Sequence, residues 1–562
     1  MSDPCHVWLG LGDDDGTNSV IDGGLDTSGN PGHFDFTSSA WHWNVNDRSG
    51  PDKDFDNDRD SITNAGVISG GVVTGHGADK VTNTGTIYGT LDTATFNWIS
   101  DVAAYASAAV DLSIYQADDN DTVVNKGTIT GMPGQGLIWT GLGSDTVDNA
   151  GYVEGISTGL HGDTIYTPYG PVDILPPSNA ALFDADTVIN SGTVHFDIWT
   201  GAGDDKIYNR ATGKVLTGNI NGDEGNDYIE NAGFVKLMVS GGEGSDIIRN
   251  TGTIGSEVQL GYDADNNQLL NDKLIGGDVT GGSFSGGDNT IENKGNILGN
   301  IWLLSGHDIV RNLGSGRIDG SIRLGAGTDE FYGNASQEKV IDEGGGDTYM
   351  MGAGDDRVTY GTGSIDGASN SFDGGLGVDT LDFSGLTVAN YTTSTINLAA
   401  PLTQSASFSG PHAQSDVLRG FENILAGGGD DTITGSDSAN VISGGDGADR
   451  ITGGKGQDTL TGGGGADTFV FSSMADSTPG AADVITDFEH GVDKIALQFI
   501  TAQVFFPYAD HFGAVVTGHG MWRITHVGNN TVLEVTADAD AAPDLIIHFN
   551  GNITLTADDF VF

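Results

Sequence analysis

Glycine and aspartate recur at fixed spacing between Gly444 and Val470, where three consecutive units read GGDGADRIT, GGKGQDTLT and GGGGADTFV. Six positions of each unit suit a tight turn, because glycines adopt positive φ and let backbone carbonyls converge. The other three suit a short strand whose apolar residue (Ile451, Leu460 or Phe469) points inward. Converging carbonyl oxygens and a carboxylate are ligands that Ca²⁺ prefers. The pattern therefore predicts a row of calcium sites.

Two such units make one coil of a parallel β-roll, so aspartates 18 residues apart are predicted to stack along one edge. Asp431, Asp449 and Asp467 form one such row, and Asp458 belongs to the opposite edge. The unit SDSANVISG carries Asn440 in place of the acid, which predicts a weakened site. The predicted ligands of these turns are Asp431, Gly445, Gly447, Asp449, Gly454, Gly456, Asp458, Gly463, Gly465 and Asp467.

A second, looser repeat with the skeleton G-x-G-x-D-x-U-x-N-x-G-x-U-x-G precedes these units, where U is apolar. Its U-x-N and G-x-U triplets predict strands of period two, with glycine, asparagine and aspartate at the corners. The shorter turns predict further calcium ligands at Asp79, Asp145, Asp205, Asp246, Asp356 and Asp379. The recurring asparagines are predicted to hydrogen-bond coil over coil: Asn83, Asn125, Asn149, Asn190, Asn231, Asn250, Asn293 and Asn312.

We therefore expect an all-β chain, in which a right-handed parallel β-helix, or β-solenoid, continues into a calcium-binding β-roll. Residues 1–60 are predicted to form a strand-rich end segment, and residues 61–345 the β-helix, with coils of roughly 20 residues. Residues 346–475 would form the roll, with an inserted segment at 386–421. Residues 476–562 would close it and carry the export signal.

Composition supports a metal-stabilised extracellular protein. The chain has 22 Lys and Arg against 78 Asp and Glu, a formal net charge of -56, and 90 glycines. Such self-repulsion disfavours a compact state unless cations bind, and it excludes nucleic acid as a natural partner. The single Cys5 rules out a disulfide framework, so bound metal is expected to stabilise the fold in place of disulfides. No apolar run is long enough to predict a membrane span.

The repeat units resemble those of the RTX family, the hemolysin-type calcium-binding repeat. The segment Gly462–Leu497 also closely resembles the C-terminal module of serralysin-type secreted proteases. Gly491, Asp493 and Lys494 occupy that module's G-x-D-K turn. In that family the module follows the nonapeptides and closes the roll, and the resemblance extends over residues 426–562.

The chain end TADDFVF resembles the uncleaved C-terminal signals that type I secretion machinery reads, which implies a secreted or cell-surface protein. The opening MSDPCHVWLGLGDDDG lacks the basic and apolar regions of a cleaved signal peptide, so export is expected to depend on the C-terminal end. The protease's zinc-binding sequence H-E-x-x-H is absent from the chain. The resemblance therefore does not imply protease activity.

Two classes of function follow from this reading. The first is a non-enzymatic structural or adhesive protein of a surface layer, biofilm or filament, which self-associates in calcium through ends such as the apolar Val7–Leu11 and contacts surface or matrix polysaccharide. The second is a polysaccharide-acting enzyme, lyase-like or epimerase-like, or a carbohydrate-binding β-helix. His161, Tyr166 and Tyr169 are the best catalytic candidates, although the epimerase sequence D-P-H-E is missing. The tryptophan of DIWTG, Trp199, is predicted to fill the coil core.

Overall fold

The computed structural model divides into two compact units, residues 1–300 (unit 1) and 301–562 (unit 2). The predicted end segment 1–60 lies outside the described residues except for the strand Val20–Asp22, so Val7–Leu11 is also outside them. The structure describes residues 20–22, 61–64, 67–69, 72–73, 80–88, 91–92, 120–130, 137–140, 143–158, 164–167, 170–173, 185–262, 265–281, 287–362, 364–399, 404–499, 521–536 and 542–561.

The described strands of unit 1 form three parallel ladders and one antiparallel hairpin, Thr164–Thr167 with Gly170–Asp173. The first ladder comprises Val20–Asp22, Ser61–Asn64, Lys80–Asn83, Thr122–Asn125, Thr146–Asn149, Thr187–Asn190, Lys206–Asn209, Tyr228–Asn231, Ile247–Asn250, Gln268–Asn271 and Thr290–Asn293. The second comprises Val67–Ser69, Thr86–Tyr88, Thr128–Thr130, Tyr152–Val153, Thr193–Val194, Lys214–Val215, Phe234–Val235, Thr253–Ile254, Leu274–Ile275 and Asn296–Ile297. The third comprises Val72–Val73, Leu91–Asp92, Leu137–Trp139, Gly155–Ser157, Ile198–Trp199, Ile220–Glu224, Val239–Glu243, Val258–Gln259 and Val279–Thr280.

Period-two alternation explains why these short segments become strands. In Thr122–Asn125 the side chains of Val123 and Asn125 are buried, and those of Thr122 and Val124 are half-buried. Val123 lies in register with Val147, and Val147 with Val188, so identical residue types stack coil upon coil. Stacked β-branched side chains fill the interior, while each coil satisfies the backbone groups of its neighbours. The prediction of an all-β parallel solenoid is confirmed.

A continuous asparagine ladder runs inside unit 1, as the sequence predicts. Each Nδ2 donates to the Oδ1 of the asparagine in the next coil, at distances between 2.7 and 2.9 Å. The described members are Asn64, Asn83, Asn125, Asn149, Asn190, Asn209, Asn231, Asn250, Asn271 and Asn293. Asn312 instead donates to Glu338 Oε1 within unit 2, at 2.8 Å. Amide stacking therefore satisfies buried polar groups that the core would otherwise leave unpaired.

The prediction that Trp199 fills the core is wrong. Trp199 is only half-buried, whereas its neighbour Ile198 is fully buried. Consecutive residues of a strand point to opposite faces, so only one of the two can face inward. The aliphatic neighbour takes the interior position because it matches the narrow rows of Val and Ile above and below it.

The described strands of unit 2 form two main sheets. Sheet I comprises Ile309–Asn312, Glu330–Tyr332, Thr348–Met350, Ser371–Asp373, Gln414–Arg419, Gln404–Ser409, Thr393–Asn397, Thr432–Thr434, Arg450–Thr452, Thr468–Phe471, Lys494–Leu497 and Phe560–Val561. Sheet II comprises Ile301–Trp302, Ile322–Arg323, Lys339–Asp342, Arg357–Tyr360, Thr380–Asp382, Asn423–Leu425, Val441–Asp446, Thr459–Gly464, Asp483–Ile485, Leu545–Phe549, Asn530–Thr536 and Met521–Val527. The remaining elements are Ser305–Gly306, Arg317–Ile318, Ala326–Gly327 and the 3₁₀ turns Met474–Asp476 and Ala557–Asp559.

The segment predicted as an insertion, residues 386–421, contributes three strands to sheet I. Gln414–Arg419 pairs parallel with Ser371–Asp373, and Thr393–Asn397 pairs parallel with Thr432–Thr434. Gln404–Ser409 is antiparallel to both of its neighbours. The segment therefore extends the sheet, and its aromatic residues enter the core. Their ring centroids lie 5.2 to 6.1 Å apart, and the cluster comprises Tyr349, Tyr360, Phe372, Phe383, Tyr391 and Phe408.

We predict that Asn231→Ala destabilises unit 1 by about 2–4 kcal/mol. The change removes the acceptor of Asn209 Nδ2 and the donor to Asn250 Oδ1, and each buried polar group left unsatisfied costs about 1–3 kcal/mol. Urea unfolding of the full chain measures the loss. Asn296→Ala, at an exposed strand position, is the control and should change stability by less than about 0.5 kcal/mol. Equal losses in the two variants would contradict the ladder's role.

Candidate metal centre

Each predicted aspartate of sheet I is held by the coil before it. The backbone N–H of Asp431 donates to Asp449 Oδ1 at 2.8 Å, and that of Asp449 donates to Asp467 Oδ1 at 3.0 Å. The N–H of Asp467 then donates to Asp493 Oδ1 at 3.0 Å. We call these four residues row I. One carboxylate oxygen of Asp449, Asp467 and Asp493 is thus committed to a neighbouring coil.

A second row lies at the start of the sheet II strands. Row II is Glu338, Asp356, Asp379, Glu422, Asn440, Asp458 and Asp483. The N–H of Asp356 donates to Asp379 Oδ1 at 2.8 Å, and that of Asn440 donates to Asp458 Oδ1 at 2.8 Å. The N–H of Asp458 donates to Asp483 Oδ1 at 2.9 Å. The structure therefore places Asp356, Asp379 and Asp458 together in one row and Asp431, Asp449 and Asp467 in the other.

The second oxygen of several of these carboxylates is buried and has no hydrogen-bond partner. Among the described residues of unit 2 this applies to Glu338 Oε2 and to Oδ2 of Asp356, Asp379, Asp449, Asp458 and Asp483. Asp449 and Asp458 are 1% and 0% exposed, so water cannot replace the missing donor from outside. A buried carboxylate oxygen without a donor is costly, and a bound cation removes that cost.

The glycine that opens each turn lets the free carboxylate oxygen lie close to its backbone. A Cβ built on Gly444 would collide with Asp449 Oδ2 and would lie 2.6 Å from the carbonyl oxygen of Gly462 in the next coil. A Cβ on Gly453 would likewise collide with Asp458 Oδ2. Carboxylate and carbonyl oxygens thus converge behind these glycines, and an all-oxygen donor set suits Ca²⁺. These residues fit the cation that the repeat predicts.

The six predicted turn glycines all adopt left-handed backbone conformations. Their φ values lie between 98° and 149°, and the residues are Gly445, Gly447, Gly454, Gly456, Gly463 and Gly465. Any side chain on Gly463 or Gly465 would also collide with the carbonyl oxygen of the glycine 18 residues earlier. Glycine is therefore required both for the turn conformation and for the close stacking of turns.

Burial alone makes the charged state of these acids unfavourable. It raises the pKa of Asp449 and of Asp458 to about 7, and that of Asp483 to about 8. Burial also raises the pKa of Asp467 and Asp431 to about 6. Each of these acids therefore loses its proton at higher pH than an ordinary aspartate, and a bound cation would favour the charged form.

Two positions differ from this pattern. Tyr391, from the segment 386–421, donates its hydroxyl to Asp431 Oδ2 at 3.1 Å, so the second oxygen of Asp431 has a partner. Asn440 accepts the N–H of Ser436 at 2.8 Å and donates to the carbonyl of Glu422 at 2.6 Å. Its amide satisfies its own turn without a cation. The sequence indicates the loss at Asn440 but gives no sign of the Tyr391 contact.

Sequence reasoning did not name four acids of these rows as ligands, namely Glu338, Glu422, Asp483 and Asp493. Glu338 precedes Asp356 by 18 residues, so the roll period could have identified it. Asp483 follows Asp458 by 25 residues, because the turn Met474–Asp476 lengthens that coil. The described residues contain no group of three or more His, Cys, Asp or Glu side chains that could hold a metal. Any site here would combine one carboxylate with backbone carbonyls.

Asp205 and Asp246 lie in unit 1. The N–H of Asp186 donates to Asp205 Oδ1 at 2.7 Å, and the N–H of Asp227 donates to Asp246 Oδ1 at 2.8 Å. Both residues therefore occupy a row of the same kind. Asp79 lies outside the described residues.

The catalytic candidates His161 and Tyr169 also lie outside the described part, and only the backbone of Tyr166 is described. A different acid–base cluster is present on the second ladder of unit 1. Tyr152 Oη lies 3.0 Å from both Glu154 Oε1 and His195 Nδ1. A lyase also needs a group that neutralises the sugar carboxylate, and the described contacts of this cluster include none.

Residues 369–562 match the protein family described as Peptidase M10 serralysin C terminal. This segment of the chain is a serralysin-type C-terminal domain, as the sequence resemblance predicts. Metallopeptidase AprA of Pseudomonas marginalis is 47% identical over 192 residues, which cover 31% of this chain and 37% of that protein. Metalloprotease AprA of Pseudomonas entomophila is 41% identical over 194 residues, which cover 31% of this chain and 39% of that protein. The chain thus spans less than two fifths of the length of these relatives.

Two solved structures are also similar. One is a hyperactive, Ca²⁺-dependent, β-helical antifreeze protein from an Antarctic bacterium, with 17% identity and a TM-score of 0.26, covering 66% of this chain and 82% of that one. The other is the extracellular lipase LipA from Serratia marcescens, with 14% identity and a TM-score of 0.17, covering 46% of this chain and 45% of that one. Within the described residues, no helix has the length and apolarity needed to cross a membrane.

We predict that Asp449→Asn raises the calcium concentration needed to fold the roll by about tenfold, or ~1.4 kcal/mol. Asparagine keeps the oxygen that accepts the Asp431 N–H but removes the charge facing the cation space. Calcium titration followed by circular dichroism measures the midpoint. The control is Asp446→Asn, an exposed acid in the same turn with the same charge change. A midpoint unchanged in Asp449→Asn, or raised equally in both variants, would argue against the site.

We predict that the metal-free roll is more stable at pH 5 than at pH 8. Asp449 and Asp458 have folded pKa values of about 7 against an ordinary value of 3.8, so between these pH values the folded state binds more protons than the unfolded chain. Their contribution is therefore largest below about pH 4 and falls as pH rises to about 7. Urea unfolding of metal-free protein at the two pH values checks the sign. Stability that increases with pH would contradict it.

Proposed function

We propose that this protein is a secreted, calcium-folded structural or adhesive protein of the cell surface or extracellular matrix, and that it is not an enzyme. The observation that carries the proposal is the set of buried carboxylate oxygens without donors in rows I and II. A protein that folds on meeting calcium needs such rows, and the proposal that it is not an enzyme is supported by the absence of H-E-x-x-H from the sequence. Cations that bind only the folded chain convert binding energy into folding energy.

Export would precede folding. The C-terminal strand Phe560–Val561 pairs with Lys494–Leu497, and the buried Asp559 accepts the N–H of Gly491 at 3.0 Å. His490 Nδ1 lies 2.9 Å from Asp559 Oδ2. In the folded domain the chain end is thus part of the closing module. Type I secretion machinery would read this end while low cytoplasmic calcium leaves the domain unfolded.

Charge is segregated across unit 1, which supports self-association. Every Lys and Arg described in this unit is exposed and lies on the first two ladders or in the bends that follow their strands: Lys80, Lys126, Lys206, Arg210, Lys214, Lys236, Arg249, Lys273 and Lys294. The described acids on these faces are one fewer, namely Asp148, Glu154, Asp197, Glu230, Glu257, Asp272, Asp278 and Glu292. This basic face stands out on a chain whose net charge is -56.

The opposite edge of unit 1, between the third and first ladders, is acidic. Its exposed or half-buried acids are Asp204, Asp223, Glu224, Glu243, Asp265 and Asp288. Each coil contributes to both surfaces, so charged residues recur at the same coil-to-coil spacing on the acidic edge and on the basic face. The acidic edge of one molecule can therefore pair with the basic face of another. We propose that a second copy of the chain is the partner of this face. An anionic polysaccharide is the alternative occupant.

We predict that the calcium-loaded protein self-associates and that Lys206→Glu with Lys214→Glu weakens this association at least tenfold. Both residues lie on the basic face, and reversing them replaces attraction by repulsion. Light scattering in millimolar calcium, at low and high salt, measures the association. The control is Lys339→Glu with Arg450→Glu in unit 2, which makes the same charge change elsewhere.

A protein that stays monomeric in calcium would contradict self-association. If added polyuronate binds wild type but not the Lys206→Glu, Lys214→Glu variant, while the protein alone remains monomeric, the face binds polysaccharide instead. Degradation of that polyuronate would point to the enzyme alternative and to the cluster of Tyr152, Glu154 and His195. Calcium-dependent folding is measured separately and does not depend on either outcome.

A further inference from the structure

Unit 1 has its own row of buried acids, outside the serralysin-type domain. Backbone N–H groups donate to side-chain oxygens of the next coil at 2.7 to 2.8 Å from Asp121 as far as Asn267, and at 3.3 Å from Asn267 to Asn289. The members are Asp121, Asp145, Asp186, Asp205, Asp227, Asp246, Asn267 and Asn289. The segment that matches the family begins only at residue 369, so the family match does not extend to this row.

Asp227 is the member with the best-defined surroundings. Its Oδ1 accepts the N–H of Asp205 at 2.8 Å, and its Oδ2 is buried with no hydrogen-bond partner. The residue is 2% exposed. The unpartnered oxygen points into the turn that opens at Gly222, because a Cβ built on Gly222 would collide with it. The same Cβ would lie 2.5 Å from the carbonyl oxygen of Gly241 in the next coil.

The space beside Gly222 is therefore lined by a carboxylate oxygen and a carbonyl oxygen from adjacent coils, as at Gly444 in the roll. The turn is also conformationally unusual. Asp223 has a φ of 87° and is the one non-glycine residue with positive φ among those described. A non-glycine residue keeps a positive φ only when the surrounding structure holds the turn in that conformation.

The end of the row shows what the same position looks like without a cation. Asn267 Nδ2 donates to the carbonyl of Asp265 at 3.3 Å, and Asn289 Nδ2 donates to that of Gly287 at 2.9 Å. Each amide donates to a carbonyl of its own turn, whereas Asn440 in the roll donates to the carbonyl of Glu422 in the preceding coil. Ionised Asp227 has no hydrogen with which to do this, so its free oxygen needs a bound proton or a cation, and a cation would also be coordinated by the converging carbonyl oxygen.

We propose that the turn Gly222–Asp227, together with the carbonyl oxygen of Gly241, binds a divalent cation of the size of Ca²⁺. The site belongs to the β-helix of unit 1 and is independent of the RTX turns. Calcium then stabilises two separate parts of the chain. Chelation lowers the stability of unit 1 in addition to its effect on the roll. The proposal does not depend on secretion or self-association.

The test counts calcium bound to the full-length protein by equilibrium dialysis. Asp227→Asn should lower the count by about one per chain, because the amide keeps the Asp205 hydrogen bond but loses the charge. Gly222→Ala should lower it equally, because the added Cβ would displace the free oxygen of Asp227. Asp204→Asn is the matched control, an exposed acid one coil earlier that keeps its bond to Asn226, and it should leave the count unchanged.

A reciprocal variant keeps the proposal falsifiable if Asp227→Asn fails to fold. Asn267→Asp replaces the amide that ends the row by a carboxylate and should add about one calcium per chain. An unchanged count in Asp227→Asn that is folded by circular dichroism would overturn the proposal. So would an unchanged count in a folded Asn267→Asp, or a loss of equal size in Asp204→Asn. Roll variants such as Asp449→Asn report on the other set of sites.

Discussion

One contact organises both units: a backbone N–H of one coil donates to a single oxygen of a buried carboxylate in the next. It holds Asp449 through Asp431 and Asp227 through Asp205. This contact fixes the side-chain rotamer, and the second oxygen then faces the glycine turn, where no donor is present. A buried, half-satisfied carboxylate is unfavourable, so the fold is complete only when a proton or a cation joins it.

The other repeated residues follow from that contact. Gly444 and Gly222 are glycines because a Cβ would occupy the space that the free oxygen faces. The strand that follows each aspartate must be short and alternate, so that the next coil returns in register. In unit 1 the asparagine at the end of that strand repeats the same device with an amide, which can both donate and accept and therefore needs no ion. In unit 1 the coils are therefore joined by two kinds of side-chain row, one of acids and one of amides.

The two units share this contact but differ in the number of acid rows and in the charge on their other faces. Unit 2, which contains the serralysin-type domain, carries two acid rows and a C-terminal strand that pairs with Lys494–Leu497. Unit 1 carries one acid row and, on its other faces, all of its described lysines and arginines. Both features are compatible with the function proposed above, in which the protein becomes ordered and adheres only after leaving the cell.

Much of this fold could be predicted from the sequence, because its determinants are local and repeated. Each of these determinants lies within a single coil. Examples are the regularly spaced Asp431, Asp449 and Asp467, the glycines between them, and Ile451, which points inward. What the tertiary structure decided is which oxygen lacks a partner, since every partner comes from another coil. Tyr391 reaches Asp431 from 40 residues away, and the three strands of 386–421 extend a sheet where the sequence indicated an insertion. Such contacts have no period, because they join residues that the repeat does not relate.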